Sequence, residues 1–253
     1  MQQTHRASGG DKGLWVDAIS VSRARRHVLT AVSFAVDPGE VVAVIGPNGA
    51  GKTSLLEAVV GALPLTTGSV RFRGRALETL RDRAHVFAFM PDAAEPPSEV
   101  RVGAFIDHVR QSAGSSASGD RLLQTMGLIP LRTALIGELS RGEKRRLMLF
   151  AALCNDRPVL VLDEPLAVFD PLQMIGILEV IRERALAGVS FLISIHQMAD
   201  AEKIASRIVL LDAGHVIAVG SLAELREQVD CATATLEDVF LQILRSRIGN
   251  APS

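Results

Sequence analysis

The stretch Val41-Val-Ala-Val-Ile45 followed by Gly46-Pro47-Asn48-Gly49-Ala50-Gly51-Lys52-Thr53-Ser54 decides how this chain folds. Five apolar residues in a row suit a strand buried on both faces of a parallel sheet. The loop behind them fits G-x-x-x-x-G-K-[ST]. From Thr53 to Leu63 a helical pattern follows, with Leu55, Leu56, Val59, Val60 and Leu63 on one stripe. Strand, glycine loop and helix in that order make a cradle for phosphate. The glycines let successive N–H groups point inward at phosphate oxygens, and the helix start adds the positive end of its dipole. Lys52 supplies a point charge for the β- and γ-phosphates, and Thr53 a hydroxyl for Mg2+. A Gly-rich turn with a solvent lysine is the bland alternative, but it explains neither the strand before the loop nor the helix after it.

The complement lies at Val159-Leu-Val-Leu-Asp163-Glu164-Pro165. A buried apolar strand there ends in two adjacent carboxylates, which emerge together at the carboxyl edge of the sheet. Asp163 suits a metal held through water, and Glu164 suits a general base that polarises an attacking water.

Outward from these two points, the chain reads as one α/β domain over 14–248, with a core of 14–92 and 156–248. Leu14 to Gly74 is rich in short β runs. One is Leu29 to Val36, stopped by Asp37-Pro-Gly39, and another is Ser69 to Gly74. These predict an N-terminal antiparallel β subdomain beside a mixed sheet flanked by helices. Ala93 to Ser98 is a Pro-bearing loop, and Gln111 to Asp120 is Ser/Gly-rich and too polar for a packed element. With the helical patterns around them, 93–155 reads as an inserted helical subdomain. The α/β alternation then resumes with strands at 159–162 and 191–195 and a helix over 173–187. A hairpin follows around Asp212-Ala-Gly-His215, then a last helix over 235–247. Residues 1–13 and 249–253 read as a flexible leader and tail.

Composition narrows the partners. With 27 Lys+Arg against 28 Asp+Glu the net charge is −1, which argues against binding nucleic acid through field strength alone. An apolar share of 48% fits a packed globular protein. No run reaches the 18 or so apolar residues of a membrane span. Two cysteines, Cys154 and Cys231, are too few for a disulfide framework and suit a reducing compartment. The expectation is a cytoplasmic protein whose membrane role, if it has one, comes through a partner.

Leu139-Ser140-Arg141-Gly142-Glu143, about twenty residues before Asp163, resembles the signature of ATP-binding cassette (ABC) proteins. The rest of the motif order is similar to the same family from Leu14 to Ile248, with Asp170 at the D-loop position and His196 at the switch position. Leu236-Glu-Asp-Val-Phe240 resembles the tail of ATPase subunits in the ABC-2 exporter group. The resemblance implies a P-loop NTPase core that binds ATP and Mg2+ and works as a pair of cassettes, identical or different. The phosphate loop of one copy then faces Ser140 and Gly142 of the other. It also implies transmembrane permease subunits, and a place on the cytoplasmic face of the membrane through them. His196 would hydrogen-bond the γ-phosphate.

Four positions, in three places, depart from the family pattern. Asp92, in Phe89-Met90-Pro91-Asp92, stands where a metal-binding glutamine is usual, and a carboxylate can serve a hard cation in its place. Arg141 and Glu143 replace Gly and Gln inside the signature, and Arg141 is read as pointing to solvent. At the usual aromatic platform for the base stands Arg23, in a chain without tyrosine. A guanidinium plane can stack on a base, which implies loose base selectivity. Two other readings fit the same motifs. One is a nucleotide-binding regulator that hydrolyses little, and the other a soluble cassette protein acting on ribosomes or nucleic acid.

Overall fold

A computed structural model describes residues 12–23, 26–113 and 118–249. Most of the leader and residues 250–253 of the tail lie outside them. Strands β1 (Leu14–Arg23) and β2 (Arg26–Val36) open the chain, and β3 (Val41–Ile45) leads through the glycine loop into α1 (Lys52–Val60). Next come β4 (Thr67–Phe72), β5 (Arg75–Ala76), α2 (Leu80–Val86) and β6 (Phe87–Met90). Helices α3 (Val102–Ser112), α4 (Ser118–Thr125) and α5 (Arg141–Leu153) precede β7 (Val159–Asp163), α6 (Pro171–Leu186) and β8 (Ser190–Ser194). The chain closes with α7 (Met198–Ile204), β9 (Arg207–Asp212), β10 (His215–Gly220), α8 (Leu222–Gln228) and α9 (Leu236–Gly249).

Two sheets result. The smaller is antiparallel in the order β2-β1-β4-β5, and the larger runs β10-β9-β3-β8-β7-β6, parallel except for the β9–β10 hairpin. This is the α/β arrangement expected, with an antiparallel sheet beside a mixed sheet flanked by helices. The continuous apolar runs have a plain cause. Val41, Ala43 and Ile45 enter one core with Leu160 and Leu162, while Val42 and Val44 enter a second core with Val159 and Val161. Alternate residues of each strand therefore face different layers, and both layers are dry. Val102, Ile106 and Leu122 of the inserted helices belong to the first of these cores.

Several boundaries differ from the sequence reading. Helix α1 stops at Val60 because Gly61 adopts a left-handed conformation (φ 85°) and closes it, leaving Leu63 beyond the helix and both Val60 and Leu63 only partly buried. Within Gln111–Asp120, α3 reaches Ser112 and α4 begins at Ser118. Arg110 pairs with Asp120 across this gap at 2.7 Å, and buried Leu122, Leu123 and Met126 draw the polar residues before them into a helix. The short α2, β6, α7 and α8 were not anticipated, since four to seven residues are too few for a periodic signal.

Reciprocal capping ties off several helix starts. Thr79 with Asp82 caps α2 and Ser140 with Glu143 caps α5, while the Thr235 hydroxyl and amide both donate to Asp238 at the start of α9. Hydrogen bonds from these hydroxyls, then from the backbone, hold Asp82, Glu143 and Asp238 below the usual carboxylate range. A lowered folded-state pKa contributes stability that is present above the unfolded value and lost as pH falls through the folded one. The melting temperature should therefore drop as pH is taken below about 4. A Thr79→Ala/Thr235→Ala variant should show a shallower drop, and an unchanged slope would refute the assignment.

Candidate active site

Four neighbouring parallel strands deliver their carboxyl ends to one edge of the large sheet. Val44 pairs with Ser194, Ser194 with Asp163, and Leu162 with Met90. The phosphate loop follows β3, His196 follows β8, Asp163 and Glu164 end β7, and Asp92 follows β6. Residues far apart in sequence thus share the crevice where α/β sheets bind ligands.

The phosphate loop is tightly built. Gly49 and Gly51 take φ of 82° and 104°. No side chain caps the start of α1, so its first N–H groups are available to an anion. The Lys52 side chain is buried, and its ammonium donates to the carbonyls of Gly46 (2.8 Å) and Pro47 (3.2 Å), folding back over the loop. A Cβ at Gly46 would lie 2.0 Å from the Leu211 carbonyl, so nothing larger fits. The β9–β10 turn stitches the loop to the small sheet. Gly214 donates to the Ala50 carbonyl and accepts from the Thr30 amide, both at 2.9 Å.

At the end of β7, Asp163 is fully buried. Its Oδ1 accepts from the Ser194 hydroxyl at 2.5 Å, while Oδ2, equally buried, has no hydrogen-bond partner. A dry, unpaired carboxylate oxygen is costly and fits a nearby hard cation or its water shell. Glu164 sits in left-handed backbone (φ 48°), as do five other non-glycine residues among those described. Its amide donates to the Ser194 hydroxyl at 2.8 Å, and its carbonyl accepts from Arg145 Nη2 at 2.7 Å.

Neither Ser194 nor Arg145 was singled out from sequence. Ser194 passes as one residue of a strand. Arg145 carries a usable signal, since it lies four and seven residues before Leu149 and Ala152 on the buried face of α5. A charge on an apolar stripe calls for a partner. That partner includes Asp92, whose carboxylate lies 2.7 Å from Arg145 Nη1. Asp92, read from sequence as a metal-binding group, thus has its charge matched by a guanidinium inside the protein.

The other site residues divide into two sets. His196 is exposed just past β8, on the phosphate-loop edge. Arg23 donates to Glu57 of α1 at 2.7 Å, so one edge of its guanidinium is engaged by a carboxylate. Ser140 and Asp170 cap the helices α5 and α6, with Asp170 Oδ1 accepting from the amides of Leu172 and Gln173, both at 2.9 Å. Arg141 is exposed. Among the described residues, a Cβ at Gly142 would meet nothing closer than Val168 Cβ at 4.0 Å.

A glycine loop between strand and helix, with a buried carboxylate at the end of the next strand but one, defines a nucleoside-triphosphate-binding protein of the P-loop class. Residues 29–167 match the family described as ABC transporter, and the chain belongs to that family as its ATP-binding, ATPase subunit. The chain is 34% identical to the Nod factor export ATP-binding protein I of Paraburkholderia xenovorans, over 83% of this chain and 71% of that one. It is also 34% identical to the hemin import ATP-binding protein HmuV of Streptomyces coelicolor, over 80% of this chain and 76% of that one. A solved structure described as the ATP binding subunit of an ABC transporter superposes with a TM-score of 0.83 at 28% identity, covering 92% of this chain and all of that one. Among the described residues no helix is long and apolar enough to cross a membrane.

Proposed function

We propose that the chain powers transport through separate transmembrane subunits at the cytoplasmic face of a membrane, by closing on a second cassette around ATP and opening after hydrolysis. The observation that carries the chemistry is the unpaired, buried Asp163 Oδ2, on the same sheet edge as the phosphate loop. Thr53 and Asp163 are the residues that would hold Mg2+, which when bound neutralises charge on the β- and γ-phosphates. Lys52 and the loop amides grip the phosphates, and Glu164 takes the proton of the attacking water. His196 would donate to the γ-phosphate. Gly142 supports the pairing, because nothing among the described residues requires a small residue there. With Ser140 and Asp170 it presents a surface for the partner cassette's nucleotide.

The two relatives are named for opposite directions, export and import. Export is the direction proposed here, on the resemblance of Leu236 to Phe240 to exporter tails. Purification of the tagged chain from detergent-solubilised membranes should bring down a protein with several membrane spans. Recovery of ribosomes or nucleic acid in its place would overturn the transport reading.

A further inference from the structure

We infer that Arg145 is a positioning residue for hydrolysis, which holds the backbone turn of Glu164 and takes Asp92 as its counter-ion. The inference deepens the proposed function and rests on Glu164 acting there as the base.

Arg145 is 7% exposed, and a guanidinium so far from water needs anionic or carbonyl partners on all sides. Both Nη atoms find them, on two different strand ends, while the buried Nε has no hydrogen-bond partner. Nη1 donates to the Asp92 carbonyl at 2.5 Å and lies 2.7 Å from that residue's Oδ1. Nη2 donates to the carbonyls of Asp163 and Glu164, both at 2.7 Å. The Glu164 peptide is thereby fixed from two sides, its amide by Ser194 and its carbonyl by Arg145. Both bonds act on the residue that holds a φ of 48°. The planar fork of arginine can serve both strand ends at once. A lysine, with a single point charge, cannot.

The placement of Arg145 gives this clamp a direction. It stands in the first turns of α5, three residues after Gly142 and five after the capping Ser140. A helix is stiff over that distance, so a displacement of its start reaches Glu164 and Asp92 together. Asp92 therefore answers to the signature helix, whereas the glutamine usual at its position answers to the metal.

The test compares wild type with Asp92→Asn, Arg145→Lys and the double variant. Three quantities are read: turnover, the dissociation constant of a fluorescent ATP analogue, and the Mg2+ concentration that half-saturates analogue binding. Asp92 is half-exposed, so its variant folds even if the buried Arg145 variant does not. Asp92→Asn should lower turnover by about tenfold to a hundredfold, with analogue affinity and Mg2+ half-saturation within about twofold of wild type. Arg145→Lys should lose at least as much, and the double variant no more than Arg145→Lys alone, because the pair acts as a unit. A Mg2+ half-saturation raised about tenfold or more in Asp92→Asn, with turnover restored at high Mg2+, would make Asp92 a metal-binding group and overturn the inference. Additive losses, or unchanged turnover in an active protein, would overturn it too. A wild type without turnover sinks the hydrolysis reading itself, and the inference with it, which is a separate result from an active wild type matched by its variants.

Discussion

Replacing Glu164 by glutamine is expected to lower ATP turnover by roughly 10²–10⁴-fold, the usual contribution of a positioned general base, while ATP binding persists. The change keeps side-chain shape, and the contacts that hold residue 164 in place run through its backbone to Ser194 and Arg145. The fold and the phosphate loop should therefore be untouched, and only proton acceptance is lost. With MgATP the variant should accumulate as a closed pair, visible by gel filtration or small-angle scattering as a doubling of mass. A wild type that turns over no faster than this variant would return the chain to the reading of a nucleotide-binding regulator. A variant that stays single under MgATP would remove the paired-cassette picture.

Gly142→Val is expected to separate folding from function. The new Cβ has at least 4.0 Å of room inside this chain, and glycine in a helix is less favourable than a residue with a side chain. The melting temperature should hold or rise, and nucleotide affinity should stay within about twofold of wild type. Turnover should nevertheless fall between about tenfold and a hundredfold, because a branched side chain wedged into a close-packed interface costs about 1–3 kcal/mol. A variant that unfolds would show that Gly142 serves the interior. One with normal turnover would show that no second copy packs there.

What could be read beforehand follows the physics of each signal. Val41–Ile45 and Val159–Leu162 were legible as strands because both sheet faces are covered, so every position is apolar. The glycine loop was legible because its steric demands leave little choice, as the 2.0 Å approach at Gly46 shows. The hairpin after Asp212 was legible from its turn. The pairing of Arg145 with Asp92 was not, because it joins the exit of β6 to a helix more than fifty residues later and only the packed fold brings them together. The same holds for Ser194, whose hydroxyl serves both Asp163 and Glu164 from the neighbouring strand. Arg23 was read as a platform for the base, and its partner Glu57 comes from α1 and was invisible locally.

The β9–β10 turn has a consequence for anyone remodelling this chain. Tips of two-stranded hairpins are ordinarily where tags, cleavage sites and domain grafts are tolerated. Here the tip at Gly214 is bonded to Ala50 of the phosphate loop on one side and to Thr30 of the small sheet on the other. A graft placed there would pry the small sheet from the phosphate loop, so the most accessible-looking splice point is among the least permissive.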